Sequence, residues 1–150
     1  MSHTDELFMD EALREAQRAQ ALGEVPVGAV VVRDGHIVGR GCNRPVTNHD
    51  PTAHAEVQAL REAGLVVGNY RLIDCDLYVT VEPCAMCAGA ITHARIRRLI
   101  YGAEDPKAGA VHSMVQVLNH PSANHQVEVT GGVLAARCMD LLQTFFRNKR

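Results

Sequence analysis

The chain carries the segment Glu82-Pro83-Cys84-Ala85-Met86-Cys87-Ala88-Gly89-Ala90 directly after the alternating apolar run 76–81. The alternation predicts a β-strand, and Pro83 is typical of the first turn of a helix. We therefore expect Cys84 and Cys87 to share one face at the start of a helix that leaves a strand. The positive end of a helix lowers the pKa of a thiol, so this pair could hold a metal ion or form a redox disulfide.

A second polar pattern is His54-Ala55-Glu56, which follows Asp50-Pro51-Thr52. A capping residue and a proline at this spacing predict the start of another helix. One histidine and two thiolates give zinc three ligands and leave the fourth position for water. Glu56 need not be a ligand and could handle the proton of that water. The H-x-E and P-C-x-x-C patterns together are typical of zinc-dependent deaminases.

Each of these residues also has a simpler interpretation. The Cys-x-x-Cys pattern alone fits a metal site, a thioredoxin-like redox pair or plain burial about equally. His54 alone could be a surface or core histidine, and Glu56 a carboxylate favoured by the helix dipole. The conjunction favours a catalytic zinc site, because the redox interpretation gives His54 and Glu56 no role. It predicts one Zn²⁺ per subunit and no organic cofactor.

The composition is that of an ordinary globular protein, with 150 residues of which 47% are hydrophobic and 21% charged, and it predicts a single domain over residues 1–150. The net charge of −2 gives no general attraction to nucleic acid, so a polyanion would need a local basic patch. No apolar run approaches membrane-spanning length, and no signal-peptide layout is present. The odd number of cysteines, without framework spacing, indicates a reducing cytoplasm, with Cys42, Cys75 and Cys138 expected to be buried.

The remaining periodicity predicts alternating strands and helices. Helices are expected over 5–21, from His54 onward, from the cysteines to about 93 and over 133–146, and strands over 27–32, 36–40, 76–81, 99–101 and 126–130. Asp34-Gly35 predicts a hairpin turn. Loops are expected at 43–45, 102–110 and 119–124, and 111–118 is ambiguous between helix and irregular structure. This order predicts a mixed sheet with helices on both faces and both zinc-bearing helix starts at one edge.

Several blocks resemble those of the bacterial tRNA-specific adenosine deaminases, and together they span nearly the whole chain. They are residues 24–29, 43–45, 50–56, 69–72, 83–90 and 102–110. The zinc motif is shared by the whole cytidine deaminase superfamily, whereas the flanking blocks narrow the resemblance to RNA-acting members. The resemblance implies a three-layer α/β/α cytidine-deaminase-like fold with a mixed, mostly five-stranded sheet.

The resemblance also implies an activity, the hydrolysis of the wobble adenosine of a tRNA anticodon to inosine by a homodimer. In this scheme zinc supplies hydroxide, and Glu56 shuttles the protons. Asn43 corresponds to an asparagine that touches the target base, and Asp105 to a loop aspartate that touches the anticodon backbone. From the residues alone, Asn43 would be a loop or turn former and Asp105 a turn residue before Pro106.

Basic and aromatic residues supply candidates for further RNA contacts. Lys107 lies beside Asp105, and Phe146 and Arg147 match the terminal helix of the family, part of which approaches RNA. Burial of Phe145 and Phe146 in the core is the alternative. The arginines at 95, 97 and 98 are a further basic cluster, which could equally serve packing or subunit contacts.

Two other functions stay open on the sequence. One is deamination of a free nucleobase, such as guanine or cytosine, on the same fold. The other is a non-catalytic RNA-binding module with structural zinc, against which Glu56 and the lack of a fourth ligand argue, since structural sites are usually closed. A free-base enzyme must close over its ligand, whereas an anticodon enzyme needs an open mouth and phosphate contacts.

Overall fold

The computed structural model describes residues 2–149. Its helices are α1 (His3–Ala21), α2 (Pro45–Asn48), α3 (Ala55–Val67), α4 (Ala85–His93) and α5 (Ala135–Asn148). Its strands are β1 (Gly28–Arg33), β2 (His36–Cys42), β3 (Cys75–Val81), β4 (Arg98–Ala103) and β5 (Glu128–Thr130). Apart from the short α2, the elements follow the predicted order.

The five strands form one mixed sheet in the order β2-β1-β3-β4-β5. Strand β1 is antiparallel to β2 and to β3, whereas β3, β4 and β5 run parallel. The β1–β2 turn holds Asp34 and Gly35 at φ values of 51° and 76°. Two consecutive left-handed residues are what a tight hairpin turn requires, which explains the Asp-Gly pair. The predicted mixed, five-stranded sheet is confirmed.

Helices cover both faces of this sheet, as the alternation along β1 shows. Val30 and Val32 pack with α1 and the start of α5, in a cluster that includes Met9. Ala29 and Val31 pack on the opposite side with α3 and α4, in a cluster that includes Ile91. Strand β3 lies at the centre of the sheet and is buried along its whole length. The result is the expected helix–sheet–helix sandwich.

Close packing of α3 on β2 depends on two glycines. A methyl group at Gly41 would lie 2.2 Å from the carbonyl oxygen of Ala55, and one at Gly39 would lie 2.3 Å from that of Ala59. The facing side of α3 carries a buried stripe of small residues, Ala55, Ala59 and Ala63. Because neither side presents a bulky side chain, the helix backbone rests on the strand. This contact fixes where α3 begins, and therefore where His54 lies.

Some boundaries differ from those predicted. Residues 43–45 were expected to be a loop, but Pro45 starts α2, whose first N–H groups are bound by the carboxylate of Glu24. Strand β5 covers only 128–130, and 111–118 has no helix but a series of turns. Helix α5 begins later than expected because Leu134, with a φ of 52°, holds the left-handed conformation. Within residues 2–149, no helix combines the length and the apolar character needed to cross a membrane.

Candidate metal and catalytic centre

His54, Cys84 and Cys87 meet at the edge of the sheet where β3 ends. The Nδ1 atom of His54 lies 3.6 Å from Sγ of Cys84 and 3.5 Å from Sγ of Cys87. All three ligand atoms lie within 4.8 Å of one another. His54 is the N-cap of α3 and Cys84 the N-cap of α4, and neither side chain caps its own helix. Two helix N-termini therefore converge on one cluster of three donor atoms.

The spacing of these atoms fits a tetrahedral zinc ion. Bonds of about 2.3 Å to sulfur and about 2.1 Å to nitrogen, at the tetrahedral angle, separate the two ligand atoms by about 3.6 Å. The two nitrogen–sulfur distances, 3.5 and 3.6 Å, agree with that value. A redox pair would need only the two sulfurs, whereas here the imidazole nitrogen faces both of them. The donor set and its geometry thus favour a metal site.

His54, Cys84 and Cys87 share hydrogen bonds, and a divalent cation can take the place of the shared protons. Hydrogen bonds with Cys87 and then with His54 lower the pKa of Cys84 to about 3. The contact with Cys84, followed by burial, raises the pKa of Cys87. The hydrogen bond with Cys84 raises the pKa of His54 despite its burial. Negative charge accumulates on sulfur at the helix N-termini, where a cation is the natural partner.

Glu56 lies in the first turn of α3 and is buried, with 4% of its surface exposed. Burial raises its pKa to about 7, and the neighbouring His54 only partly offsets this effect. A carboxyl group that titrates near neutrality can both accept and release a proton. Its position two residues from His54 places this carboxyl group beside the cluster rather than in it. Zinc would therefore have three protein ligands and an adjacent proton carrier.

Asn43 is held beside the cluster by backbone hydrogen bonds. Its N–H donates to Val27 at 3.0 Å, and the N–H of Arg44 donates to the carbonyl of Ala53 at 2.9 Å, immediately before His54. Within residues 2–149 the side-chain amide of Asn43 has no hydrogen-bond partner. The half-buried amide is therefore available to a ligand.

Asp105 and Lys107 lie in the loop of residues 104–113, which follows β4. Oδ1 of Asp105 accepts hydrogen bonds from the N–H groups of Lys107 and Ala108, both at 3.1 Å, so Asp105 shapes its own turn. The side chain of Lys107 is exposed and forms no ion pair within the described residues. The loop is docked beside the cluster, because the N–H of Ala110 donates to the carbonyl of Pro83 at 2.9 Å.

The sequence indicates only an extended conformation for Glu82, yet its carboxylate accepts five hydrogen bonds in the structure. It is buried, with 3% exposed, and its carboxylate accepts hydrogen bonds from four residues of the 104–113 loop. Burial alone would raise its pKa, but the hydrogen bonds, first from Ser113 and then from His112, lower it to about 2. No local pattern links position 82 to this loop, since the contacts exist only in the folded chain.

The terminal helix separates its two phenylalanines. Phe145 is buried, whereas Phe146 is 51% exposed and Arg147 is exposed beside it. The rings of the two phenylalanines pack edge to face with centroids 5.4 Å apart. The alternative, burial of both phenylalanines, holds for Phe145 and not for Phe146, since the helix places consecutive residues on different faces.

The arginines that follow α4 are largely occupied by acids. Arg97 forms a two-pronged contact with Asp76, at 3.0 and 2.9 Å. Arg98 binds Asp5 at 3.0 Å and Glu128 at 3.3 Å. Arg97 and Arg98 therefore stabilise the fold by tying β3, β4, β5 and α1 together.

Known proteins resemble this chain in sequence and in fold. The zinc-binding region of cytidine and deoxycytidylate deaminases matches residues 2–103. The tRNA-specific adenosine deaminase of Haemophilus influenzae is 51% identical over 150 residues, which span 99% of this chain and 87% of that protein.

Solved structures agree with these matches. A protein from studies of A-to-I editing by tRNA:A34 deaminases at the wobble position of transfer RNA superposes with a TM-score of 0.87 at 48% identity, covering 90% of this chain and 98% of that one. The guanine deaminase of Nitrosomonas europaea superposes with a TM-score of 0.82 at 26% identity, covering 93% of this chain and 83% of that one.

The cluster geometry predicts which side chains hold zinc. Freshly purified, reduced protein should contain about one zinc per chain by elemental analysis, since three ligands suffice for a catalytic site. Cys84→Ala and His54→Ala should each lose most of this metal, because two ligands remain. Cys75→Ala, which removes a buried thiol elsewhere in the core, should retain it. Wild-type protein without zinc, and with a disulfide between Cys84 and Cys87, would instead establish a redox pair.

Proposed function

The chain belongs to the cytidine and deoxycytidylate deaminase family, among its tRNA-specific adenosine deaminases, and from this membership we propose that it hydrolyses the wobble adenosine of a tRNA anticodon to inosine. The cofactor is one Zn²⁺ per subunit, and we assign His54, Cys84 and Cys87 as its ligands within a single domain of residues 1–150. The observation that carries the proposal is the His–Cys–Cys cluster beside a buried carboxyl group, in a chain half identical to a tRNA adenosine deaminase over nearly its full length.

Glu56 is the group we assign to proton transfer. When bound, zinc supplies a Lewis acid that makes a water molecule acidic near neutral pH. The Glu56 carboxylate takes one proton from the attacking water and delivers it to the ring nitrogen N1 of adenine, while the water oxygen bonds to carbon 6. The carboxylate then takes the second proton from this oxygen and passes it to the exocyclic amine. The C6–N bond breaks, ammonia leaves, and the oxygen remains as the inosine carbonyl.

Asn43 is assigned to the target base. Its amide is half-buried, lacks a partner within residues 2–149 and is tethered next to His54. An amide offers both a donor and an acceptor, which suits the edge of a purine. A stacked base cannot reach a buried carboxyl group, so the nucleotide must be splayed out of its loop. Anticodon loops suit this requirement because they are already single-stranded.

Asp105, Lys107, Phe146 and Arg147 are assigned to the RNA around the target. Lys107 offers an exposed ammonium group to phosphate, and Arg147 an exposed guanidinium group. The half-exposed ring of Phe146 offers a surface on which a base can stack. Asp105 fixes the turn that carries Lys107 and can accept a hydrogen bond from the RNA backbone. With a net charge of −2, the chain must bind RNA through such local groups.

We assign the chain to a homodimer that forms through the outer face of α4. This helix carries no charged residue from Ala85 to Thr92, and its outer face includes the half-buried Gly89 and Ala90. Grooves of about 700 and 620 Å³ flank it and share His93. Exposed apolar residues line or border these grooves, namely Leu65, Tyr70, Val115 and Val117. A helix apolar on all sides is normally buried, so a second copy is its expected cover.

We assign the protein to the cytoplasm, because its proposed tRNA substrate is processed there. The five cysteines are free thiols, three of them buried away from the cluster, which agrees with a reducing compartment.

The assignment of Glu56 predicts loss of turnover without loss of metal. Glu56→Gln keeps the shape of the side chain but cannot carry the proton, so deamination should fall by about 10²- to 10⁴-fold or more. Zinc content and thermal stability should stay near those of the wild type. Glu62→Gln makes the same change at an exposed position of the same helix and should leave turnover unchanged. Near-normal turnover by Glu56→Gln would show that another group moves the proton.

The substrate assignment predicts rapid formation of inosine in an anticodon stem-loop with a wobble adenosine. Free adenine, guanine and cytosine should be poor substrates, because phosphate contacts provide most of the binding. The logarithm of the affinity should fall linearly with the logarithm of salt concentration, and Lys107→Ala should reduce that slope by about one. Arg14→Ala removes an exposed charge on α1 and should not change it. Efficient turnover of guanine, with none of the stem-loop, would make the chain a free-base deaminase.

The dimer assignment predicts sedimentation at the mass of two chains. Ala90→Arg places a charge at the centre of the outer face of α4 and should yield monomers, because the charge would be buried without a partner. Leu22→Arg, at an exposed apolar position at the end of α1, should remain dimeric. A wild-type protein that sediments as a monomer at micromolar concentration would rule out this interface.

A further inference from the structure

The carboxylate of Glu82 is enclosed by the backbone of the 104–113 loop. Its Oε2 accepts hydrogen bonds from three consecutive N–H groups, those of Val111, His112 and Ser113, at 3.1, 2.8 and 2.9 Å. Its Oε1 accepts from the N–H of Asp105 at 3.1 Å and from the hydroxyl of Ser113. Successive N–H groups that point to one centre form an anion-binding nest. Here the anion is a side chain of the protein itself.

The loop approaches Glu82 closely enough to require a glycine. A methyl group at Gly109 would lie 2.5 Å from both carboxylate oxygens and from their carbon. Gly109 is buried, and its N–H donates to the carbonyl of Asp105 at 2.8 Å, so the loop closes on itself around the carboxylate. The loop therefore wraps Glu82 from three sides, with donors at 105 and 111–113 and bare backbone at 109.

Glu82 also lies two residues before Cys84. The intervening Pro83 accepts a hydrogen bond from the N–H of Ala110 at 2.9 Å, and the N–H of Glu82 donates to Ala103 at 2.8 Å, at the end of β4. One short segment thus leads from the loop to a metal ligand. Whatever fixes Glu82 against the loop also fixes the distance between the loop and the metal centre.

We propose that Glu82 is a positioning residue for substrate, because it holds the loop that carries Asp105 and Lys107 in register with the metal site. This inference rests on the proposed function, in which that loop contacts RNA. Glu82 itself touches neither metal ligand nor substrate in this scheme. Its loss should therefore weaken substrate binding and leave the chemical step almost unchanged.

Glu82→Gln tests the proposal with little change of shape. All five hydrogen-bond partners are donors, so an amide NH₂ group must face at least one of them, whichever way it is oriented. KM for the anticodon stem-loop should rise about tenfold or more, since a buried donor loses its acceptor. The value of kcat and the zinc content should change little. Exchange of the amide hydrogens of residues 111–113 should accelerate while that of β3 stays slow.

Two variants in the loop perturb its contact with Glu82 and keep the Glu82 carboxylate. Ser113→Ala removes only the hydroxyl donor and should raise KM by less than Glu82→Gln does. Gly109→Ala inserts a methyl group between the loop and the carboxylate and should raise KM at least as much as Ser113→Ala does. These variants keep the test open should Glu82→Gln fold poorly.

Asp5→Asn is the matched control for a merely structural carboxylate. Asp5 is also buried and accepts hydrogen bonds from Tyr78 at 2.7 Å and from Arg98 at 3.0 Å, but it belongs to α1, which covers the face of the sheet opposite α3 and α4. This variant should lower the melting temperature without a change in KM. The proposal is overturned if Glu82→Gln behaves in the same way, if it loses zinc, or if the 111–113 amides stay protected.

The outcome can be separated from failure of the proposed function. Should the wild type act on guanine and not on the stem-loop, the RNA assignment falls. The positioning role is then decided by the KM for guanine together with the amide exchange of the loop, which needs no substrate. If Glu82→Gln raises both the KM for guanine and the exchange rate of the 111–113 amides, the positioning role is supported. If either quantity stays at the wild-type value, the role is excluded.

Discussion

Helices α3 and α4 begin at the same edge of the sheet, and the side chains of their N-caps, His54 and Cys84, face each other. In α1 the N-cap Ser2 accepts a hydrogen bond from the N–H of Asp5, as N-caps usually do. His54 and Cys84 make no such bond, so α3 and α4 forgo a contact worth about 1 kcal/mol each. The uncapped, positive helix ends instead stabilise thiolate at the cluster. Local stability is given up for a site that attracts a cation.

Much of the fold could be predicted because its signals are local. The Asp34-Gly35 turn, the alternation of β3 and the proline at the start of α4 each depend on neighbouring residues. What could not be predicted depends on distant partners. Helix α2 has only four residues and is held by the carboxylate of Glu24, which lies 22 and 23 positions before the two residues whose N–H groups it binds. Strand β5 was predicted over 126–130, but only 128–130 pair with β4, as a parallel edge strand.

The same division applies to the site. The meeting of His54 with Cys84 and Cys87 follows from two helix starts that the sequence displays openly. The anchoring of the 104–113 loop by Glu82 does not, because the sequence pattern predicts that an acidic residue at the end of a buried strand is exposed to solvent. Turns without regular structure still need acceptors for their N–H groups, and a buried carboxylate can satisfy several at once. Its own desolvation is offset by the same hydrogen bonds. The sequence shows neither that the loop N–H groups lack acceptors nor that the carboxylate of Glu82 is buried.

The two segments next to the metal centre, α2 and the 104–113 loop, are each held by a buried carboxylate, that of Glu24 and that of Glu82. Their backbones are therefore ordered before substrate arrives, while the side chains of Asn43 and Lys107 remain without partners among the described residues. Order in the backbone lowers the entropic cost of binding, since only the substrate has to be immobilised. This matters for a chain of net charge −2, which cannot rely on general attraction to a polyanion. A few pre-positioned contacts must then do what a broad basic surface does in other RNA-binding proteins. The carboxylates of Glu24 and Glu82 make this possible, because their negative charge lies inside the protein and not at the surface that RNA approaches.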